Sequence, residues 1–295
     1  MTDTTEHRTD TFAELLSLDQ IEVNLFRGWC HAGAPLRAFG GQVAAQALVA
    51  AGRTVAEERP VHSLHGYFLL PGDPRQPIVY EVERVRDGRS YTTRRVTGLQ
   101  KGAAIFTLSA SFKRAEEAPE RQRPMPEVPG PEELPDPYPL WAEADPEHFA
   151  SRPLPQQMRY VPADAPGLPP QIPGMPQQFV WMKAAEPLPD GDPLLHVCAL
   201  AYMSDLTLAS TVALDRQPPT LRRQGEQPRV SMASLDHAMW FHRPFRADEW
   251  LLFAQRSPSS SDGRGLALGE FYRRSGELVA SGVQEVLIRD RRAPR

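Results

Sequence analysis

Residues 77–112 read PIVYEVERVRDGRSYTTRRVTGLQKGAAIFTLSASF, and this stretch decides the fold. Its three longer runs alternate apolar and polar residues or are rich in β-branched and aromatic residues, as β-strands are. Asp87-Gly88 and Lys101-Gly102 separate the runs, and glycine readily adopts the positive φ that tight hairpins need. The stretch therefore predicts a three-stranded antiparallel meander.

The second half of the chain repeats this organisation. The strand-like runs WLLFAQRS, LALGEFYRR and LVASGVQEVLI follow one another between residues 250 and 288. Asp262-Gly263 and Ser275-Gly276 separate them, and both pairs are hairpin signals. A second antiparallel meander is therefore predicted.

One helix-like segment precedes each meander. Residues 40–55, GGQVAAQALVAAGRTV, place apolar residues on one face and contain small residues suited to close packing on a curved sheet. Residues 204–214, SDLTLASTVAL, are the expected counterpart, in which Ser204 or Asp205 would cap the first turn. A further helix is expected to open the chain within residues 11–26. One helix wrapped by a meander, occurring twice, predicts an α+β fold made of two hot-dog units that pair edge to edge into one long sheet.

Prolines divide the chain. Twenty of the 31 fall between Pro119 and Pro193, where neither a long helix nor a central strand is expected, because proline fixes φ and lacks the N–H donor. We therefore predict an N-terminal hot-dog unit over residues 1–115, a proline-rich linker over 116–190, and a C-terminal hot-dog unit over 191–295 that carries the active site. A long decorated loop within one domain is the alternative reading of residues 116–190.

Composition limits the possible partners. The 295 residues include 33 Lys and Arg against 37 Asp and Glu, a formal charge of −4, which gives no support for nucleic-acid binding. The apolar run at residues 194–203 is too short to cross a bilayer, so no membrane partner is expected. The N-terminal MTDTTEHRTD lacks the features of a secretory signal and the C-terminal RRAPR is no peroxisomal address, so a cytoplasmic location is expected.

Familiar catalytic and cofactor motifs are missing from the sequence. There is no G-x-S-x-G elbow, no phosphate-binding loop and no G-x-G-x-x-G fingerprint. Cys30 and Cys198 have neither a disulfide-framework pattern nor zinc-type spacing. His62 and His65 are three residues apart and would point to opposite faces of a strand. We therefore expect no cofactor and no metal.

Eight ordered segments carry a resemblance to a known family. They are LFRG, FGGQVAAQAL, VHSLHGYFLLPGD, DGRSYTTRRV, YMSDL, SLDHAMWFHRPF, DEWLL and LVASGVQE, spread from about residue 15 to residue 288. Together they resemble the acyl-CoA thioesterase II family, with the proline-rich stretch as the main interruption. The resemblance implies a double hot-dog enzyme that hydrolyses acyl-CoA to free fatty acid and coenzyme A, and a homo-oligomer, either dimer or tetramer.

The resemblance also implies a site. The family uses an Asp, a Thr or Ser, and a Gln around one water molecule, and these roles map by position onto Asp205, Ser234 and Gln284. A thioester is already activated, so a positioned water molecule can suffice: Asp205 would accept its proton while Ser234 and Gln284 orient it. Backbone N–H groups of a helix beginning near Asp205 would hold the thioester oxygen.

Other readings of these residues stay open. Asp205 could be only a helix cap, and Ser234 and Gln284 ordinary polar strand residues. Asp236 is the second candidate for the carboxylate. His65 could face the pocket or have a structural role. His237 and His242 are expected to be packing or turn residues.

The duplication predicts one site per chain. Aligning the halves through Gly102 and Gly276 places Ala110 opposite Gln284. The N-terminal helix begins Gly40-Gly41-Gln42, without a carboxylate. Two rival functions are a hot-dog dehydratase or hydratase, which would need His65 or His237 with a carboxylate, and a non-catalytic acyl-CoA-binding module.

Overall fold

The computed structural model describes residues 11–30, 37–144, 154–216 and 230–290. The ten N-terminal and five C-terminal residues, on which the expectation of a cytoplasmic location rests, lie outside the described residues. Thirteen strands in the described part form one sheet in which every neighbouring pair is antiparallel. In chain order they are β1 (Asp19–Glu22), β2 (Leu25–Gly28), β3 (Val61–Phe68), β4 (Ile78–Asp87), β5 (Tyr91–Gln100), β6 (Ala103–Lys113), β7 (Gln156–Tyr160), β8 (Gln177–Ala184), β9 (Val230–Ser234), β10 (Asp236–Phe241), β11 (Leu251–Ser261), β12 (Arg264–Arg273) and β13 (Leu278–Asp290).

Five helices and one short 3₁₀ turn accompany the sheet in the described residues. They are α1 (Phe12–Leu15), α2 (Gly40–Gly52), the 3₁₀ turn Pro131–Glu133, α3 (Tyr138–Ala144), α4 (Pro193–Ser204) and α5 (Leu208–Thr211).

The sheet consists of two halves joined in the middle. Its order is β1-β2-β4-β5-β6-β3-β10-β13-β12-β11-β8-β7, and β9 also pairs with β13. The halves meet where β3 pairs with β10, placing His65 opposite Ala238. The predicted double hot-dog fold, with two meanders joined edge to edge, is confirmed. At the junction, the backbone N–H and C=O groups of one edge strand from each half pair with each other.

Two of the predicted hairpins have the backbone geometry that their sequences require. Lys101 and Gly102 have φ of 50° and 78°, and Asp262 and Gly263 have φ of 51° and 70°. Both pairs form two-residue loops, between β5 and β6 and between β11 and β12. Such loops favour left-handed conformations at both central positions, because these match the twist of the flanking strands.

The central helices α2 and α4 pack against each other in opposite directions. A Cβ atom built on Gly41 would lie 2.5 Å from the Tyr202 carbonyl oxygen, and one on Gly52 would lie 2.4 Å from the Leu194 Cδ2 atom. The helix backbones therefore approach more closely than larger residues would allow at these two positions. This packing brings the N-terminus of α2 to the C-terminus of α4, where the candidate site lies.

The prediction for the second central helix was wrong in its bounds. The helix runs over Pro193–Ser204, and only the short α5 lies within residues 204–214. The Asp192 side chain accepts the Leu195 N–H at 2.9 Å, and Pro193 occupies the first turn, both of which favour a helix start there. Asp205 is therefore the C-cap of α4, not the residue that starts a helix.

The opening helix is also much shorter than expected. Only Phe12–Leu15 is helical, and β1 and β2 form a hairpin over the rest of residues 11–26. β2 pairs with β4, which buries Phe26 in the core. Pairing with the edge of the sheet thus outweighs the weak local preference for helix.

The proline-rich segment contains regular structure that the sequence did not predict. β7 and β8 lie within residues 116–190, and β8 pairs with β11 as part of the C-terminal half of the sheet. Trp181 donates its indole N–H to the Pro129 carbonyl at 2.8 Å, and Glu132 pairs with Arg274 through two contacts of 2.8 and 2.9 Å. The expectation that this segment holds no central strand was therefore wrong, whereas the proposed boundaries at 115 and 190 stay a prediction.

The residues from Pro193 to Thr211 are long and apolar enough to resemble a membrane-crossing helix by length and composition alone. In the folded chain this stretch is mostly buried, with Ala199, Leu200, Ala201 and Met203 fully inaccessible. Its apolar character follows from its position in the core between α2 and the sheet.

Candidate active site

The structure brings Asp205, Ser234 and Gln284 together from three elements. Asp205 follows the last residue of α4, Ser234 ends β9, and Gln284 lies in the middle of β13. The Gln284 Nε2 donates to Asp205 Oδ1 at 2.6 Å, and the Ser234 hydroxyl lies close enough to the Asp205 carboxyl to lower its pKa. Gln284 is completely buried, and the other two residues are partly buried.

The electrostatics of Asp205 suit a proton acceptor near neutral pH. Burial raises the pKa of its carboxyl to about 6, while hydrogen bonds from Gln284, the Gly41 N–H and Ser234, together with the charge of Arg37, act in the opposite direction. A carboxyl with this pKa is mostly ionised at pH 7 and is a stronger base than an exposed aspartate. This is the combination that general-base catalysis requires.

The amide of Gln284 has a defined orientation and one unused oxygen. Its NH₂ group faces Asp205, because an ionised carboxylate can only accept hydrogen bonds. Within the described residues, its buried Oε1 has no hydrogen-bond partner. Gln284 can therefore hold Asp205 with one end and accept a hydrogen from a small molecule, such as water, with the other.

The N-terminus of α2 completes the site from the other half of the chain. A Cβ atom on Gly40 would lie 2.8 Å from Asp205 Oδ2 and 2.9 Å from the Phe68 ring, so glycine allows the helix terminus to approach the carboxylate. The Phe39 N-cap provides no side-chain hydrogen bond to the helix. The positive end of the α2 dipole thus faces the site. The expectation that a helix beginning at Asp205 supplies these N–H groups was wrong.

Sequence reasoning missed Arg37. This exposed side chain lies close enough to Asp205 to lower the pKa of its carboxyl, and its Nη2 is 3.4 Å from the Met232 carbonyl oxygen. Its position beside the FGG segment was the available signal. Arg37 lies near Asp205 only because α2 packs against α4, and no local sequence pattern reveals that packing.

The rival carboxylate Asp236 has a different environment. Its Oδ1 accepts the backbone N–H of Glu285 at 2.7 Å, and burial raises the pKa of its carboxyl. The bond fastens the start of β10 to β13. Asp236 therefore has a clear structural role beside the site.

The three histidines near the candidate site, His65, His237 and His242, have different environments. His65 is exposed on β3, with its ring 5.1 Å from that of Trp240. His237 is buried, and its Nε2 lies 2.8 Å from the Ser204 hydroxyl. His242 is exposed, and its Nε2 lies 2.9 Å from the Ser281 hydroxyl.

The other half of the chain differs at the corresponding positions. Ala110, the predicted counterpart of Gln284, is buried on β6 and has no polar side chain. The described residues contain no group of three or more His, Cys, Asp or Glu side chains that could hold a metal ion. The chemistry available at the site is thus that of a carboxylate, a hydroxyl, an amide and a helix N-terminus.

Two hot-dog units in one chain, with these groups gathered where their central helices meet, define a hot-dog enzyme of the acyl-thioester class. Two family models cover most of the chain: residues 26–113 match the acyl-CoA thioesterase N-terminal domain, and residues 119–288 match the acyl-CoA thioesterase C-terminal domain. The chain belongs to the acyl-CoA thioesterase family. The C-terminal match begins within the proline-rich segment, in agreement with the strands found there.

Individual relatives are similar to this chain over nearly its whole length. Acyl-coenzyme A thioesterase 8 of Homo sapiens is 40% identical over 93% of this chain and 88% of its own. Acyl-CoA thioesterase 2 of Haemophilus influenzae is 36% identical over 93% of this chain and 96% of its own. The crystal structure of an acyl-CoA thioesterase II from Mycobacterium marinum is 45% identical, with a TM-score of 0.79 over 95% of this chain and 99% of that one.

Proposed function

We propose that this protein hydrolyses acyl-CoA to a free carboxylic acid and coenzyme A, using a water molecule held by Asp205, Ser234 and Gln284. Membership of the acyl-CoA thioesterase family supports the reaction. The observation that supports the site is the 2.6 Å hydrogen bond between Gln284 and Asp205, which orients a carboxylate whose pKa is raised to about 6.

The proposed reaction needs no covalent intermediate on the protein. The water oxygen bonds to the thioester carbon as Asp205 takes one of its protons, and the carbonyl oxygen becomes an oxyanion. The C–S bond then breaks, the carbonyl re-forms, and the proton passes from Asp205 to the departing sulfur. General-base assistance of this kind contributes roughly 10²–10⁴-fold in rate.

The N-terminus of α2 stabilises the charge that develops in this reaction. Its backbone N–H groups and dipole favour negative charge at the point where Gly40 approaches Asp205. A donor directed at a forming oxyanion is worth on the order of 10²–10³-fold in rate. The N-terminal half of the chain thus contributes a helix terminus to a site whose three side chains belong to the C-terminal half.

The direct test is release of free thiol from acyl-CoA, followed with a disulfide reagent over a series of acyl chain lengths. Thiol release by the purified protein is the expected result. Loss of enoyl absorbance without thiol release would support the dehydratase reading, and binding without either reaction would support a non-catalytic module. The environments of His65 and His237 do not favour the dehydratase reading, since one is exposed against Trp240 and the other is buried against Ser204.

Gly40→Ala tests the contribution of α2. The new methyl group would press on Asp205 Oδ2 and the Phe68 ring, so kcat should fall about tenfold or more, although alanine is the better helix former. Gly52→Ala is the matched control, because it adds a methyl at the other end of α2, against the Leu194 side chain. It should change the melting temperature but leave kcat near that of the wild type. Unchanged kcat in Gly40→Ala would contradict the role given to this helix terminus.

A cytoplasmic homo-oligomer remains our proposal for the state of the protein. Exposed apolar side chains support self-association: Tyr67 lies near the end of β3, and Leu69 and Leu70 follow the strand. Light scattering on the purified protein would distinguish a monomer from the proposed dimer or tetramer.

A further inference from the structure

One buried polar contact beside the site has no part in the mechanism above. Ser204, the last residue of α4, is completely buried, and its hydroxyl lies 2.8 Å from the Nε2 of His237 on β10. His237 is itself 1% exposed. Burying a hydroxyl and an imidazole costs free energy unless each makes a hydrogen bond. Removing either residue would therefore leave the other without this buried hydrogen-bond partner.

The direction of this hydrogen bond follows from the neighbours of Ser204. The hydroxyl also lies 2.8 Å from the Ala201 carbonyl, which can only accept, so the single hydroxyl hydrogen is needed there. His237 then donates its Nε2–H to Ser204 and keeps an unprotonated Nδ1. That nitrogen has no partner in the described residues, and an unused acceptor is tolerated better than an unused donor.

The same arrangement recurs at the end of the other central helix. The Thr54 hydroxyl, beyond the C-terminus of α2, donates to the Ala51 carbonyl at 2.8 Å and accepts from Arg94 Nε on β5 at 2.8 Å. At the C-terminus of each central helix, therefore, a side-chain hydroxyl donates to a carbonyl of the last turn and accepts a hydrogen bond from a nitrogen on the sheet. Only in the C-terminal half is the next residue the candidate base.

The bond between His237 and Ser204 runs beside the contact between Ser234 and Asp205. Ser204 and Asp205 are adjacent, and Ser234 and His237 lie three residues apart across the boundary between β9 and β10. Two ties thus connect the same two chain segments, and only the one involving Asp205 belongs to the proposed reaction.

The strand side of this connection is fixed to the strand that carries Gln284. The Leu235 N–H donates to the Glu285 carbonyl at 2.9 Å, and the Glu285 N–H donates to Asp236 Oδ1 at 2.7 Å. His237 therefore ties the end of α4 to a segment whose position relative to Gln284 is already set.

We propose that His237 and Ser204 form a positioning pair that holds the end of α4 so that Asp205 meets Ser234 and Gln284 at reactive distance. The inference rests on the proposed function of Asp205. Neither residue touches the reacting atoms. They affect the reaction only by positioning Asp205, which directly follows Ser204 in the chain.

The test compares Ser204→Ala, His237→Leu and the double variant with wild type, using thiol release from acyl-CoA. Each single change should lower kcat about tenfold or more, within the roughly 10²-fold that a 1 Å misplacement can cost, and leave KM nearly unchanged. Because they remove the same tie, the double variant should lose no more than the worse single variant. His237→Gln, whose amide can donate from nearly the Nε2 position, should recover most of the activity.

A pH profile separates positioning from simple loss of stability. If Asp205 is displaced from Gln284 and Ser234, its carboxylate loses stabilising hydrogen bonds, so the acid limb of kcat should move to higher pH in Ser204→Ala and His237→Leu. Thr54→Ala is the matched control, since it removes the equivalent hydroxyl at the C-terminus of the other central helix, α2. It should lower the melting temperature without moving kcat or its acid limb.

Three outcomes would overturn the proposal: full kcat in folded Ser204→Ala, additive losses in the double variant, or equal kcat losses in Thr54→Ala. Failure of the proposed function is recognised separately, because wild-type protein would then release no thiol and Asp205→Asn would change nothing.

Discussion

Asp205→Asn should lower kcat by about 10²–10⁴-fold and leave the fold intact. Asparagine has nearly the same shape and can still bond to Gln284 and Ser234, but it cannot accept the proton of the attacking water. KM should change little, because the substitution removes an interaction that acts in the transition state. Thiol release at saturating acyl-CoA measures the effect.

The pH dependence gives this prediction a second readout. In wild type, kcat should fall as the pH drops through about 6, the pKa to which burial raises the Asp205 carboxyl. The variant should lose that acid limb along with most of its activity. A loss of less than about threefold would reject Asp205 as the base and direct attention to Asp236.

The same substitution, Asp205→Asn, should not lower the thermal stability of the protein at pH 7 and could raise its melting temperature. Because the pKa of Asp205 is raised in the folded state, the unfolded chain releases this proton first, and the contribution of this group to stability decreases as the pH rises from about 4 to about 6. The wild type therefore carries the cost of a buried charge at pH 7. Asp205→Asn should melt at the same temperature or higher there, which separates loss of catalysis from loss of fold.

Gln284→Ala should produce the other large loss of activity, of about 10²-fold in kcat, with KM little changed. The substitution removes the 2.6 Å hydrogen bond to Asp205 and the free amide oxygen proposed to orient the water. It also removes a group that holds the pKa of Asp205 down, so the acid limb of kcat should shift to higher pH. Unaltered turnover, or an unaltered limb, would mean that Gln284 is only a buried strand residue.

Ala110→Gln is the control that the duplication offers. It places an amide at the predicted counterpart of Gln284 in the N-terminal half, where the C-cap of α2 is Arg53 and not a carboxylate. The change should leave kcat unchanged in an otherwise wild-type chain and should not rescue Gln284→Ala. Rescue would contradict the assignment of one site per chain.

Local sequence patterns were sufficient to predict the strands of the two meanders. The meanders at residues 77–112 and 250–288 alternate apolar and polar side chains and have glycine at their turns. Both signals depend only on residues close together in the sequence. Lys101-Gly102 and Asp262-Gly263 form the left-handed pairs that the sequence suggested. Helix bounds were predicted less well. The apolar run at residues 194–203 shows no amphipathic pattern, because residues 198–203 are all buried, and the capping signal at Asp192-Pro193 marks where the helix begins.

The sequence by itself determined the double hot-dog fold, the family and the identity of three candidate residues, because these depend on ordered motifs and on the periodicity of strands. Only the tertiary structure decided how the site is assembled. Asp205 ends one helix, the N-terminus of α2 approaches it from the other half, and His237 fastens the residue before it. These contacts join residues far apart in the chain, and they depend on the packing of α2 against α4. No local pattern in the sequence encodes such packing.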